Sequence, residues 1–117
     1  DFEILFLCWS PKQIAPVHGH EGEKCWARVE SGELRFCNYN LLSKKPLKLR
    51  SEKSTIGKAG YLDGPAEIHS VENIFQENAI SLHIYARPYD ACDIYNFNTK
   101  SIDRVNLKYH SKFGELC

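Results

Sequence analysis

The sequence contains no methionine, only two tryptophans, and no excess of charge of either sign, with 15 Lys and Arg balancing 15 Asp and Glu. A balanced surface sets up no strong field toward nucleic acid or a membrane, so neither is expected as a partner and a small, near-neutral ligand is. Long apolar runs are also missing. The longest, Ile4 to Trp9, falls far short of the ~20 residues a membrane helix needs, and no basic segment followed by an apolar one opens the chain. Disulfide logic is absent too: Cys8, Cys25, Cys37, Cys92 and Cys117 form an odd, widely spaced set, which argues against a secreted framework and for a reducing cytosol. The lack of an initial methionine, with a strand-like run beginning almost at once, predicts that the natural protein extends upstream.

The 117 residues suit one domain, since about 100 to 150 residues is the commonest domain size. A chain of this length buries between about 60% and 70% of its unfolded surface. Neither a metal nor a disulfide is needed merely to hold such a fold.

Helix signals are scarce. Segments rich in Val, Ile, Phe, Tyr and Leu recur at short intervals between Gly, Pro, Asn and Asp, the habit of sandwiches and barrels. Strands are predicted over Phe2 to Trp9, Val17 to His20, Cys25 to Glu30, Glu33 to Tyr39, Gly60 to Leu62, Ile68 to Asn73, Ile80 to Tyr85, Ile94 to Asn98 and Arg104 to His110. Ser31-Gly32 sits where a positive φ suits a tight hairpin turn, and Asn98-Thr99-Lys100 is a second expected turn. The lysine-rich stretch Ser43 to Lys58 has no clear period and reads as a loop with a short helix or as an edge strand. No repeat or linker divides the chain, so the strands are expected to share one core.

Histidines two apart in a strand project from one face. His18 and His20 can therefore grip one ion; two surface histidines that happen to alternate would give the same pattern. Spacing sharpens the signal: after His18-x-His20 come Cys25, Gly32 and, much later, His69 with Asn73 four positions on. Imidazole ligands with open positions suit iron, copper, zinc or nickel, so donor type alone does not select the metal. Ser81, His83 and Tyr85 also alternate, giving either a polar row facing inward or an amphipathic strand with its polar face in water, Leu82 and Ile84 lying opposite.

The histidine layout resembles the two motifs of cupins, in most of which a glutamate holds the position of Cys25. A cupin with cysteine there and three histidines is similar to the animal-type cysteine dioxygenases. Further blocks extend the likeness: Leu7-Cys8-Trp9, His18-Gly19-His20 with Cys25-Trp26, Ile68 to Asn73, Ser81 to Tyr85, and Tyr109-His110-Ser111-Lys112-Phe113-Gly114.

The resemblance implies an all-β, small cupin-type barrel, jelly-roll-like, with the family's upstream helical part absent and residues 1–117 forming a single domain. It implies Fe(II) held by His18, His20 and His69, and a monomeric cytoplasmic enzyme. Its substrates would be L-cysteine and O2 and its product cysteine sulfinic acid, on the route of cysteine catabolism toward taurine. Three neutral imidazoles, lacking the carboxylate of the commoner facial triad, leave the site less negative and able to accept an anionic thiolate. Tyr85 would steer oxygen and the substrate carboxylate, His83 would orient Tyr85, and Ser81 would orient His83, as outer partners commonly do. Cys25 and Tyr85 match a pair joined by a thioether; a buried free cysteine acting as a small hydrophobe is the alternative. Leu7, Trp9 and Leu107 match substrate-pocket positions and equally suit core packing.

Two departures stand out. The family's carboxylate-clamping arginine lies upstream of the part matched here, and Arg87 stands where the family usually has a proline adjoining a cis peptide bond. A non-proline cis bond there costs roughly 2.5 to 4 kcal/mol, so a different local backbone is expected. Oxidation of another small thiol, such as 3-mercaptopropionate or cysteamine, and a non-catalytic metal-binding cupin remain as other readings.

Overall fold

The computed structural model describes residues 2–116, and at Ala66 the backbone alone; Cys117 lies outside the described residues. The chain runs through β1 (Glu3–Trp9), β2 (Ile14–Gly19), β3 (Cys25–Ser31), β4 (Leu34–Lys44), β5 (Leu47–Gly57), β6 (Leu62–Ala66), β7 (Ile68–Glu72), β8 (Ala79–Tyr85), β9 (Ala91–Asn96), β10 (Ser101–Asn106), β11 (Ser111–Lys112) and β12 (Glu115–Leu116). Among the described residues no helix is long and apolar enough to cross a membrane. Two sheets form the body, a four-stranded one in the order β1-β8-β3-β6 and a six-stranded one in the order β10-β9-β2-β7-β4-β5. The all-β, barrel-like architecture expected from the strand pattern is what the chain adopts.

Alternation explains what each strand buries. From the inner faces, Trp9, Ala27, Val29, Leu34, Phe36, Val71 and Ala79 make one apolar cluster between the sheets. On the other face of the six-stranded sheet, Val17 and Ile68 pack with Leu47 and Tyr95, flanked by Tyr39, Leu41, Leu49 and Ile102. β7 is thus covered on both sides: Ile68, His69, Ser70 and Val71 are all buried. Strands covered on both faces lose their alternating pattern.

Ser43 to Lys58 resolves into β5 and the end of β4, a long hairpin at the edge of the larger sheet. Most β5 side chains are exposed, which is why no period was visible. Ser31-Gly32 does not make a hairpin; it carries the chain from β3 in one sheet to β4 in the other. Gly32 has φ 74°, and a Cβ there would lie 2.5 Å from the Asn78 carbonyl oxygen, so the corner needs glycine for both conformation and space. Asn98 to Lys100 does turn the chain, with the Asn96 side-chain oxygen accepting from the Asn98 and Thr99 amides at 2.9 and 3.2 Å. Cis peptide bonds among the described residues occur at Lys45-Pro46 and Gly64-Pro65, and Ala86-Arg87 is trans.

Candidate metal centre

His18 of β2 and His69 of β7 are directly opposed partners in an antiparallel ladder, and His20 follows two residues beyond His18. The register shifts between Ala15 and His18, at Pro16, whose missing N–H cannot serve a regular ladder. Behind this bulge the three imidazoles converge. Their centroids stand 5.0, 4.8 and 4.6 Å apart in pairs, and one ligand atom from each lies within 4.8 Å of the others.

Ring orientation is set by the backbone. Nδ1–H of His18 donates to the Pro16 carbonyl at 2.6 Å, and Nδ1–H of His20 to the Glu67 carbonyl at 2.8 Å. Each ring thereby presents Nε2 as the free lone pair, the tautomer that a metal requires. Nε2 of His20 is buried without a partner. Burial, together with repulsion from His69, pulls His18 down to about 4; burial, with repulsion from His69 and His18, pulls His20 down to about 3. Both are neutral near pH 7. Buried, neutral, convergent nitrogens with an unused lone pair fit a divalent transition metal.

Behind His69 lies a polar cluster that the sequence did not reveal. Asp63 of β6 points inward, 4% exposed, with Oδ2 3.6 Å from Nδ1 of His69. Its other oxygen receives Asn38 Nδ2 at 3.4 Å and the Tyr61 hydroxyl at 3.5 Å. Burial pushes the Asp63 carboxyl up, but attraction to His69 and the Asn38 amide outweighs it and holds the group below the usual range. Next to it, Gly64 has φ 124°, and a Cβ would lie 2.6 Å from the Cys25 carbonyl oxygen; the close approach of β6 to β3 requires glycine.

A second polar row enters from β8. Ser81, His83 and Tyr85 are buried, while Ile80 and Ile84 face outward and are exposed. This reverses the usual patterning, in which the apolar face turns inward. The Trp9 indole N–H donates to Ser81 Oγ at 2.9 Å, which leaves the Ser81 hydroxyl proton for His83 Nε2 at 2.7 Å. Burial, then repulsion from His69 and His18, pulls His83 down to about 3, consistent with its accepting that proton.

The profile of the family described as "Cysteine dioxygenase type I" matches residues 1–98. The chain belongs to the cysteine dioxygenase type I family. It is 29% identical to cysteine dioxygenase type 1 of Rattus norvegicus over 117 residues, covering 97% of this chain and 58% of the rat protein. The chain thus spans less than two thirds of that relative's length. In backbone it resembles the Drosophila melanogaster CENP-C cupin domain, with TM-score 0.59 and 10% identity over 71% of this chain and 59% of that one. It likewise resembles a double-stranded β-helix protein of Klebsiella pneumoniae, with TM-score 0.56 and 23% identity over 74% and 67% of the two chains. These two likenesses concern the fold alone, which is cupin-like.

Within this cysteine dioxygenase family chain, Cys25 and Tyr85 are directly paired across β3 and β8. Cys25 is pushed up to about 12 by burial and by the Asp63 carboxylate, and Tyr85 is raised by burial and by Cys25, so thiol and phenol both keep their protons. Tyr85 stands 6.0 Å from His20 between ring centroids. Tyr89, unremarked in the sequence, lies edge-on to Tyr85 at 5.0 Å and 6.1 Å from His20. Leu7, Leu107 and Tyr85 share the wall of a cavity of about 200 Å³ with Leu5 and Tyr89, and Glu3, Asp90 and Lys108 supply its charges. Trp9 is not on that wall; it lies in the core and reaches the β8 row through its indole N–H.

Proposed function

We propose that this chain carries the iron centre of a non-haem thiol dioxygenase that adds both atoms of O2 to the thiol of L-cysteine, RSH + O2 → RSO2H, giving cysteine sulfinic acid. The observation that carries this reading is the convergence of His18, His20 and His69, with two of the Nδ1 atoms committed to backbone carbonyls. His18, His20 and His69 would hold Fe(II), which supplies the redox chemistry for O2. Family membership favours iron for that role, since the three imidazoles alone select no metal.

The remaining residues act around the metal. A phenol raised above its ordinary pKa stays a hydrogen-bond donor, so Tyr85 offers its proton to the substrate carboxylate and to oxygen as charge develops there. Ser81 fixes the ring of His83, and His83 packs beside Tyr85 with centroids 6.4 Å apart, limiting where the phenol can swing. Leu5, Leu7 and Leu107 would give the cavity beside Tyr85 an apolar wall. Lys108 and the pair Glu3 and Asp90 present both signs of charge at the same cavity, as a zwitterionic amino acid requires. The cross-strand pairing of Cys25 with Tyr85 supports a thioether between the thiol sulfur and the phenol ring, the two hydrogens lost being taken by O2 as the oxidant.

The test is oxygen uptake and sulfinate formation with Fe(II), comparing L-cysteine, 3-mercaptopropionate and cysteamine, for wild type and His69→Ala. Sulfinate from L-cysteine that disappears in His69→Ala is expected. Activity that survives the substitution removes the ligand assignment. Faster turnover of either other thiol reassigns the substrate, and metal uptake without oxygen consumption marks a non-catalytic cupin.

A further inference from the structure

The three histidines are not held in the same way. His18 and His20 each spend Nδ1–H on a backbone carbonyl. His69, 1% exposed, has no such carbonyl, and its Nδ1 is buried without a partner. Facing it at 3.6 Å is Oδ2 of Asp63, also buried and also without a partner. The carboxylate is oriented for this role from its far side: Asn38 and Tyr61 both donate to Oδ1, leaving Oδ2 toward the imidazole. Asn38 is itself the cross-strand partner of His69, so the cluster is tied to the ladder that bears the ligand. A buried donor and a buried acceptor, each unsatisfied and within a few tenths of an ångström of bonding distance, are complementary.

We propose that Asp63 is a positioning residue for the metal ligand His69, accepting its Nδ1–H so that Nε2 is aimed at the centre, in a carboxylate–histidine–metal arrangement. The inference rests on the metal reading of the three histidines. A carboxylate acceptor makes an imidazole a stronger donor than a carbonyl does. His69 is then electronically distinct from His18 and His20. The centre, though its ligands are neutral, has one negative charge directly behind it, which favours the higher oxidation state of a bound redox metal.

Two measurements test this. In the metal-free protein, long-range 1H–15N correlations of the histidine rings should show His69 as the Nδ1–H tautomer, with its ring proton further downfield than those of His18 and His20. Asp63→Asn should move that proton upfield. In anaerobic competition titrations with Fe(II), Asp63→Asn should weaken binding by roughly 10- to 100-fold and raise the ferric/ferrous midpoint potential, a shift that a merely structural role would not produce. An Nε2–H tautomer for His69 overturns the proposal, and so does a folded Asp63→Asn protein with wild-type affinity and potential. If Asp63→Asn does not fold, the wild-type tautomer decides. A wild type that takes up no divalent metal overturns the reading of the centre and this inference with it, whereas wild-type uptake unaffected by Asp63→Asn overturns this inference alone.

Discussion

Cys25 of β3 and Tyr85 of β8 are directly opposed residues of one antiparallel ladder, both buried. Directly opposed residues have Cβ atoms about 4.5 to 5.5 Å apart, so the register brings thiol and phenol side by side. After turnover, intact mass should show a population lighter by two hydrogens, together with a faster band on denaturing gels. Cys25→Ser should abolish both, and wild type without the deficit refutes the crosslink.

Ser81 stands between two ring nitrogens, accepting from Trp9 and donating to His83. Ser81→Ala leaves both partners buried and unpaired, each at about 1 to 3 kcal/mol. We expect a stability loss of about 2 to 4 kcal/mol in denaturant titrations, with lowered turnover. A loss below about 0.5 kcal/mol would mean that water replaces the hydroxyl without cost.

Acid should destabilise the metal-free protein. His18, His20 and His83 have folded-state pKa values pulled down to about 4, 3 and 3 from 6.5, in each case mainly by burial. Between about pH 6.5 and those values the unfolded chain binds protons that the folded chain does not. Their contribution is therefore fully present above pH 6.5 and declines on acidification, by up to about 1.4 kcal/mol per pH unit for each histidine. Thermal melts from pH 7.5 to 5 should show a steady fall in Tm; a flat profile contradicts neutral burial of these rings.

Divalent metal should raise Tm in wild type and leave His69→Ala almost unchanged. At free metal one hundredfold above Kd the stabilisation is about 2.7 kcal/mol, on the order of 10 °C for a chain of this size. Equal shifts in both proteins would place the metal elsewhere.

Phe36, 1% exposed within the cluster between the sheets, has Val71 as its cross-strand partner, two residues beyond His69. Phe36→Ala should cost about 3 to 5 kcal/mol and weaken metal binding through the loosened ladder. Equilibrium unfolding and metal titration on the same preparation measure both effects.

The legible parts of the site were those written in short-range spacing. His18-x-His20 and the alternation of Ser81, His83 and Tyr85 state their faces directly, because a strand's period is two. Asp63 was invisible because it is a single acid between Leu62 and Gly64, and its tie to His69 arises only when β6 closes over the barrel interior. Tyr89 was missed for a similar reason: it follows Pro88 outside any strand, where no period marks direction. β5 escaped because an exposed edge strand buries few side chains, so its sequence carries no alternation to read. The strand expected from Val17 begins instead at Ile14, and the structure accommodates Pro16 at the bulge.

That bulge has a consequence for how the chain tolerates insertions and deletions. The bulge sets the phase in which His18 and His20 face inward, so one residue added or removed between Ala15 and His18 must be absorbed there or both imidazoles turn out of the barrel. The same change within residues 21–24 leaves that phase intact and falls on a connection tied down by the Glu23 amide on the His20 carbonyl, the Ala86 amide on the Lys24 carbonyl and the Arg104–Glu21 ion pair. Length is thus constrained by facing before His20 and by local contacts after it.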